Sequence, residues 1–277
     1  MSNSLASVES WMSLRIRPWL MMALWPMGAL LGLGCGGSIP AGQREAVQLA
    51  APHPIVRPTQ GGIALTFDDH AIGSWAEADA VLRPKYQWSA TFFVDAIARI
   101  SDDDARLVRN LYAAGHDVGC HGLNHLNAVE FLKSHTMEEY LAAEIQPAME
   151  AFRVRCGLVP ESFAFPYGAH NSDLDLALGA RFKRLRGAGK LQDALVQAPS
   201  PSLIMSVHLD ATVAPSWSVI QAAMDEAKAT NRVLVMVFHT VVETPTGPNQ
   251  VSLATLDRIC AYAKSQGLAF VRLHDLT

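Results

Sequence analysis

Ile63-Ala64-Leu65-Thr66-Phe67-Asp68-Asp69 is the stretch from which the rest of the chain is read. An apolar run with little polar alternation is the pattern of a strand buried on both faces, which a parallel sheet covered by helices provides. The run ends in two adjacent carboxylates, and like charges leaving a core side by side repel. Two arrangements offset that cost. One is an Asp-rich turn open to water. The other is a divalent cation that takes one carboxylate as a ligand and leaves the other free as a base.

Outward from this strand, short apolar runs alternate with amphipathic segments. A helix is expected over 75–86, a strand over 90–94, a helix over 102–114 stopped by Gly115, and a short strand over 117–120. A longer helix over 136–155 starts at a Thr136/Glu139 capping box and should be interrupted by Pro147. Beyond it come a strand over 162–165, a short helix over 173–179 and weaker strands over 182–185 and 203–207. A helix over 215–230, an almost wholly apolar strand over 233–238, a helix over 252–266 and a closing strand over 269–273 complete the series. Strands alternating with helices imply the α/β class, and the count fits a closed or nearly closed, distorted β/α barrel of about seven parallel strands.

In such a barrel, functional groups gather where strands end. Just past the expected strand ends stand Asp68, Asp69 and His70, then His121 and His125, then Tyr167, His170 and Asn171, then His208 and Asp210, then His239, and finally His274 with Asp275. Most of the ten histidines fall there. His53, His116 and His135 do not, and are assigned to structure or solvent. Within Cys120-His121-Gly122-Leu123-Asn124-His125 the two imidazoles are four residues apart, a spacing that on a helical turn places both on one face. Joined to Asp69 they give two nitrogens and one oxygen with room for water, the donor set of an open zinc site, with Co, Ni or Mn also compatible. Trp75, Trp88 and Trp217 are read as packing residues before sugar platforms.

Four motifs in order resemble the polysaccharide deacetylase, or NodB-homology, family: Thr66-Phe67-Asp68-Asp69, His121-Gly122-Leu123-Asn124-His125, Phe165-Pro166-Tyr167-Gly168 and Val237-Phe238-His239. Ala90-Thr91-Phe92-Phe93-Val94 is similar to that family's second strand. The resemblance implies Asp68 as general base and Asp69, His121 and His125 as metal ligands. It further implies His239 as general acid and Tyr167 as backbone donor to an oxyanion, with His208 and Asp210 as candidates to tune His239. The implied reaction is metal-dependent removal of N-acetyl groups from an N-acetylated sugar in a polysaccharide. A hydrolase of another amide or imide bond on the same scaffold, and a carbohydrate-binding protein without turnover, are the alternatives. Two departures stand out: His70 follows the aspartates where Gly is common, and Ala164 stands where many members place the Arg that orients the catalytic Asp.

The 277 residues are 50% hydrophobic, enough for one sizeable core, and the net charge of -4 lacks the basic footprint of a nucleic-acid binder. Arg15 and Arg17 precede a charge-free stretch over 18–34, the pattern of an export signal, so 1–34 is expected to be a leader. Pro26 and several glycines weigh against a permanent membrane span. Leu31-Gly32-Leu33-Gly34-Cys35 resembles a bacterial lipoprotein processing site with Cys35 lipidated, although Gly32 occupies the usual Leu position and ordinary signal cleavage is the alternative. Residues 35–60 read as a flexible tether and 61–277 as the catalytic domain. This organisation implies an exported envelope protein, anchored to the membrane by lipid or periplasmic. Cys120, Cys156 and Cys260 are expected to be buried thiols.

Overall fold

The seven strands that carry the fold are β1 (Gly62–Asp69), β2 (Ala90–Val94), β3 (Asp117–Cys120), β4 (Ser162–Ala164), β5 (Arg184–Ala188), β6 (Leu203–His208) and β7 (Val233–Phe238) in this computed structural model, which describes residues 48–55 and 57–276. The leader, Cys35 and the tether up to residue 47 lie outside the described residues. Each strand pairs in parallel with the next, and β7 pairs back onto β1 from Gly62↔Val233 to Phe67↔Phe238, which closes the barrel. The order follows the chain around the ring.

Side chains alternate across each strand. Ile63, Leu65 and Phe67 of β1 join the main core beneath the helices, whereas Ala64 sits in a second cluster with Phe93, Ala164, Ile204 and Val235 inside the barrel. The same alternation puts Thr66 and Asp68 on the lumen side, and Thr66 Oγ1 donates to the Met236 carbonyl at 2.9 Å. Six longer helices cover the outside: α1 (Ile72–Tyr86), α2 (Asp102–Ala113), α3 (137–156), α4 (Ser172–Gly179), α5 (Trp217–Thr230) and α6 (Leu253–Gln266). Trp75 of α1 stacks on Phe92 with ring centroids 5.3 Å apart, and Phe67 packs between them and Trp88. Both tryptophans are therefore core residues, and Trp217 carries the Arg258 guanidinium 4.0 Å above its ring.

Helix α3 begins at the Thr136 capping box, with Glu139 reaching back to the Thr136 N–H. Its interruption is a π turn over Leu141–Ile145, in which the Gln146 N–H donates to the Leu141 carbonyl immediately before Pro147. Pro147 has no N–H to give, so the ladder loosens on its N-terminal side.

The floor of the barrel differs from expectation. Ala269–Phe270 pairs with the start of β1, but the expected strand stops there. Val271, Leu273 and Leu276 instead enter the lumen cluster and plug it. Residues 48–55, expected as part of a tether, lie against the same pole. The Ala50 N–H donates to Gly157 O at 2.8 Å, Tyr112 OH to Ala51 O at 2.9 Å, and Arg272 to Pro54 O at 2.8 Å. Cys120, Cys156 and Cys260 are buried free thiols. Among the described residues, no helix is long and apolar enough to cross a membrane.

Candidate active site

The C-terminal ends of β1, β3, β5, β6 and β7 open on a cavity of about 190 Å³ that holds Asp68, Asp69, His121, His125, Tyr167 and His239. Asp69 closes β1 in a left-handed conformation (φ 79°), which turns its carboxylate away from the strand's alternation. Its Oδ1 lies 3.3 Å from His125 Nε2 and 3.7 Å from His121 Nε2. Burial alone would raise the Asp69 pKa, but His125, His121 and His239 beside it hold it down to about 2.

His121 follows β3 and is wholly buried. Its Nδ1 lies 2.8 Å from the Ala164 carbonyl, which can only accept, so Nδ1 carries the proton and Nε2 offers its lone pair to the cavity. Burial pushes its pKa down and keeps the ring neutral. His125 reaches the same point by a route that the spacing did not predict. The segment after β3 is a loop, not a helical turn, and His125 takes φ 56° to aim Nε2 back at Asp69. Contact with Asp69 raises its pKa, against the effect of burial.

A divalent cation fits this trio. One ligand atom from each of Asp69, His121 and His125 lies within 4.8 Å of the others, and Asp69 Oδ1 is buried without a hydrogen-bond partner. A buried acceptor left unpaired costs about 1–3 kcal/mol, which coordination would remove.

Asp68, one residue earlier, faces the lumen. There it pairs with Arg186 of β5, a residue almost wholly buried and stacked 5.4 Å over Phe93. Arg186 is the residue that sequence reasoning missed. In register it is the partner of Ala164, so a guanidinium absent from β4 is supplied from the adjacent strand. The expected strand over 182–185 stopped short of it, whereas β5 runs Arg184–Ala188. The available signal was the alternation of Arg184, Arg186 and Ala188 with Leu185 and Gly187, one face of a strand being basic beside a chain of apolar ones. Gly168 lets this strand end approach: at φ 63°, an added Cβ would stand 2.6 Å from the Ala188 Cβ.

His239 follows β7. Its Nδ1 lies 2.6 Å from Asp210 Oδ2, its backbone N–H points to Asp210 Oδ1 at 3.3 Å, and its carbonyl accepts from Trp75 Nε1 at 2.7 Å. Asp210 is completely buried. Burial alone would lower the His239 pKa, but the Asp210 hydrogen bond and the carboxylates of Asp68 and Asp69 outweigh it and raise the pKa. His208 Nε2 bonds the same Asp210 oxygen at 2.5 Å. These are hydrogen-bond lengths, so His208, Asp210 and His239 form a relay and not a second metal trio.

Tyr167 takes φ 60°, its ring meets His125 edge-on at 4.6 Å, and its side chain is 70% exposed. The other strand-end candidates stay outside. His70 is 61% exposed at its side chain and bonds Asp95 at 2.7 Å. His170 bonds Asp175, and Asn171 caps α4 through the Leu174 N–H. His274 and Asp275 lie at the floor, on Glu161 and Arg272, because the chain turns into the lumen there.

Residues 56–181 match the family model for polysaccharide deacetylase. No curated protein matches the chain in sequence. Among solved structures, a mutant of the peptidoglycan deacetylase PdaC from Bacillus subtilis aligns with TM-score 0.51 and 20% identity, over 80% of this chain and 92% of that one. A Streptococcus mutans CE4 esterase aligns with TM-score 0.53 and 20% identity, over 78% and 87%. The Bc1960 peptidoglycan N-acetylglucosamine deacetylase, in complex with an N-oxidanyl benzamide, aligns with TM-score 0.52 and 22% identity, over 83% and 92%. At these identities the likeness is one of fold. The matched segment brings Asp68, Asp69, His121, His125 and Tyr167 to the cavity, and over residues 56–181 the chain is similar to the polysaccharide deacetylase family.

Proposed function

We propose that this chain is a metal-dependent hydrolase that removes N-acetyl groups from an N-acetylated sugar in a polysaccharide. One observation carries the reading. The Asp69, His121 and His125 trio opens on the same cavity as two braced proton carriers, Asp68 on Arg186 and His239 on Asp210.

A divalent ion held by Asp69, His121 and His125, zinc first among the candidates, would polarise the acetamido carbonyl and ease deprotonation of the attacking water. Asp68 takes that proton. Its Oδ2 is fixed by Arg186 while its buried Oδ1 has no protein partner, which leaves one acceptor for the water. The N–H of Tyr167, brought to the cavity by its left-handed turn, donates to the oxyanion that develops as the carbonyl is attacked. His239, kept protonated through Asp210, gives its proton to the departing amine nitrogen as the carbon–nitrogen bond breaks. Acetate and a free amino sugar result.

The test is acetate release from N-acetylglucosamine oligomers and from peptidoglycan by zinc-loaded protein, beside a panel of small amides. Release from the glycans that stops on chelation supports the reading. Release from small amides alone, or none from any glycan, overturns it.

We also place the chain outside the cytoplasm, on its N-terminal pattern alone. The leader and Cys35 predict membrane-associated protein that incorporates labelled fatty acid and loses it in Cys35→Ala. Unlabelled, soluble, processed protein would replace the anchor by ordinary signal cleavage.

A further inference from the structure

Glu144 is a wholly buried carboxylate that none of the steps above uses. It belongs to the π turn of α3, and among the described residues no ion pair includes it. Its charge is met by N–H donors of one loop. The Asn124 backbone N–H spans Oε1 and Oε2 at 3.0 and 2.9 Å, the Leu126 N–H donates to Oε1 at 2.8 Å, and Asn124 Nδ2 donates to Oε2 at 3.1 Å. The two clamped backbone amides are those on either side of His125, itself in a left-handed conformation that non-glycine residues seldom adopt. At the other end of the loop, Gly122 (φ 81°) leaves the space the carboxylate fills: a Cβ there would stand 2.5 Å from Glu144 Oε1.

The geometry points to Glu144 as the positioning residue of the metal trio, the group that holds the loop between His121 and His125 so that both Nε2 atoms face Asp69. The π turn belongs to the same device. One extra residue in that turn re-aims the helix face, and π turns recur at functional sites for this reason. Glu144 acts through backbone amides and has no contact with the cation, and the inference rests on the metal reading of Asp69, His121 and His125.

The test uses Zn²⁺ alone, on the purified chain stripped of metal and titrated against a chromogenic chelator. Glu144→Gln keeps shape and volume but turns amide hydrogens towards the loop N–H groups. Zinc affinity should fall about 10–100-fold, the range for groups that orient metal ligands from behind. A merely structural role would lower the metal-free melting temperature and leave the affinity of the folded protein unchanged. Unchanged affinity in folded Glu144→Gln overturns the proposal. If that variant does not fold, Gly122→Ala replaces it: glutamate is retained but displaced by the new Cβ, weaker zinc binding is again expected, and unchanged affinity again overturns the proposal. Absence of zinc binding by the unaltered chain would overturn the trio itself and this inference with it.

Discussion

Asp210→Asn isolates the group that sets the protonation of His239. Asp210 is completely buried and holds the imidazole at 2.6 Å, so the substitution keeps the shape and removes the charge. Burial is the largest influence on His239 and acts to lower its pKa from 6.5; the Asp210 hydrogen bond is the largest that raises it. A hydrogen bond to a charged group is worth about 1.5–3 kcal/mol, so its loss should lower the His239 pKa. A general acid must be protonated, so the high-pH limb of activity follows this group. The assay is kcat/KM for acetate release from an N-acetylglucosamine oligomer at saturating zinc across the pH range. The high-pH limb should shift to lower pH. Above the new limb, the loss should be about 10–100-fold, the equivalent of the hydrogen-bond energy removed. The same linkage acts on folding. A raised histidine pKa stabilises the native state below the unfolded value and ceases to do so as pH rises through the folded one. The metal-free stability lost in Asp210→Asn should therefore shrink as pH rises past the folded pKa of His239. A high-pH limb that stays in place would refute the argument, because another group would then be holding the proton.

Arg186→Met leaves the buried Asp68 carboxylate unpaired and should cost about 3–5 kcal/mol in urea unfolding, with most of that recovered, but not the activity, in the double variant with Asp68→Asn. Equal stability of the single variant and the wild type would show that the pair does not hold the fold. Tyr167→Phe should keep kcat within about threefold, since the exposed phenol has no assigned step and the backbone N–H remains; a loss of about 100-fold, the scale of a removed oxyanion donor, would place the phenol in the reaction. Because the pKa of Asp69 is held near 2, the metal-free protein should lose stability progressively as pH falls from the ordinary carboxylate range towards about 2, a trend followed by melting temperature and absent in Asp69→Asn. His125→Ala should abolish zinc retention on gel filtration while leaving the metal-free melt near that of the wild type, His125 being only partly buried at the rim.

The groups at strand ends were legible because a parallel barrel concentrates chemistry there, and Asp68, His121 and His239 each stand directly after an apolar run, with His125 four residues beyond His121. Asp210 could be named only as a neighbour of uncertain role, since its claim on His239 depends on how two loops meet. Arg186 was illegible for a physical reason. Charged residues are read as strand boundaries unless a partner is known, and its partner is 118 positions away. The histidine pair was found by a spacing rule whose geometry was wrong. Four residues do bring the rings together, but through a left-handed loop clamped from α3, a contact that no local pattern encodes. The floor escaped for a similar reason, since Val271 and Leu273 have the pattern of a strand but, with Leu276, the position of a stopper.

That stopper bears on the order in which the molecule can be made. Residues 271–276 follow every barrel strand in the chain, so a nascent polypeptide can pair all seven strands while one end of the lumen cluster is still uncovered. Val271, Leu273 and Leu276 bury about 1.5–3 kcal/mol each, together about 5–9 kcal/mol. This rivals the whole net stability of a typical domain, about 5–15 kcal/mol. Full burial of the lumen cluster must then wait for the stopper to emerge during synthesis. A chain interrupted before residue 271 should therefore be a less stable ring, its lumen cluster open to water at one pole.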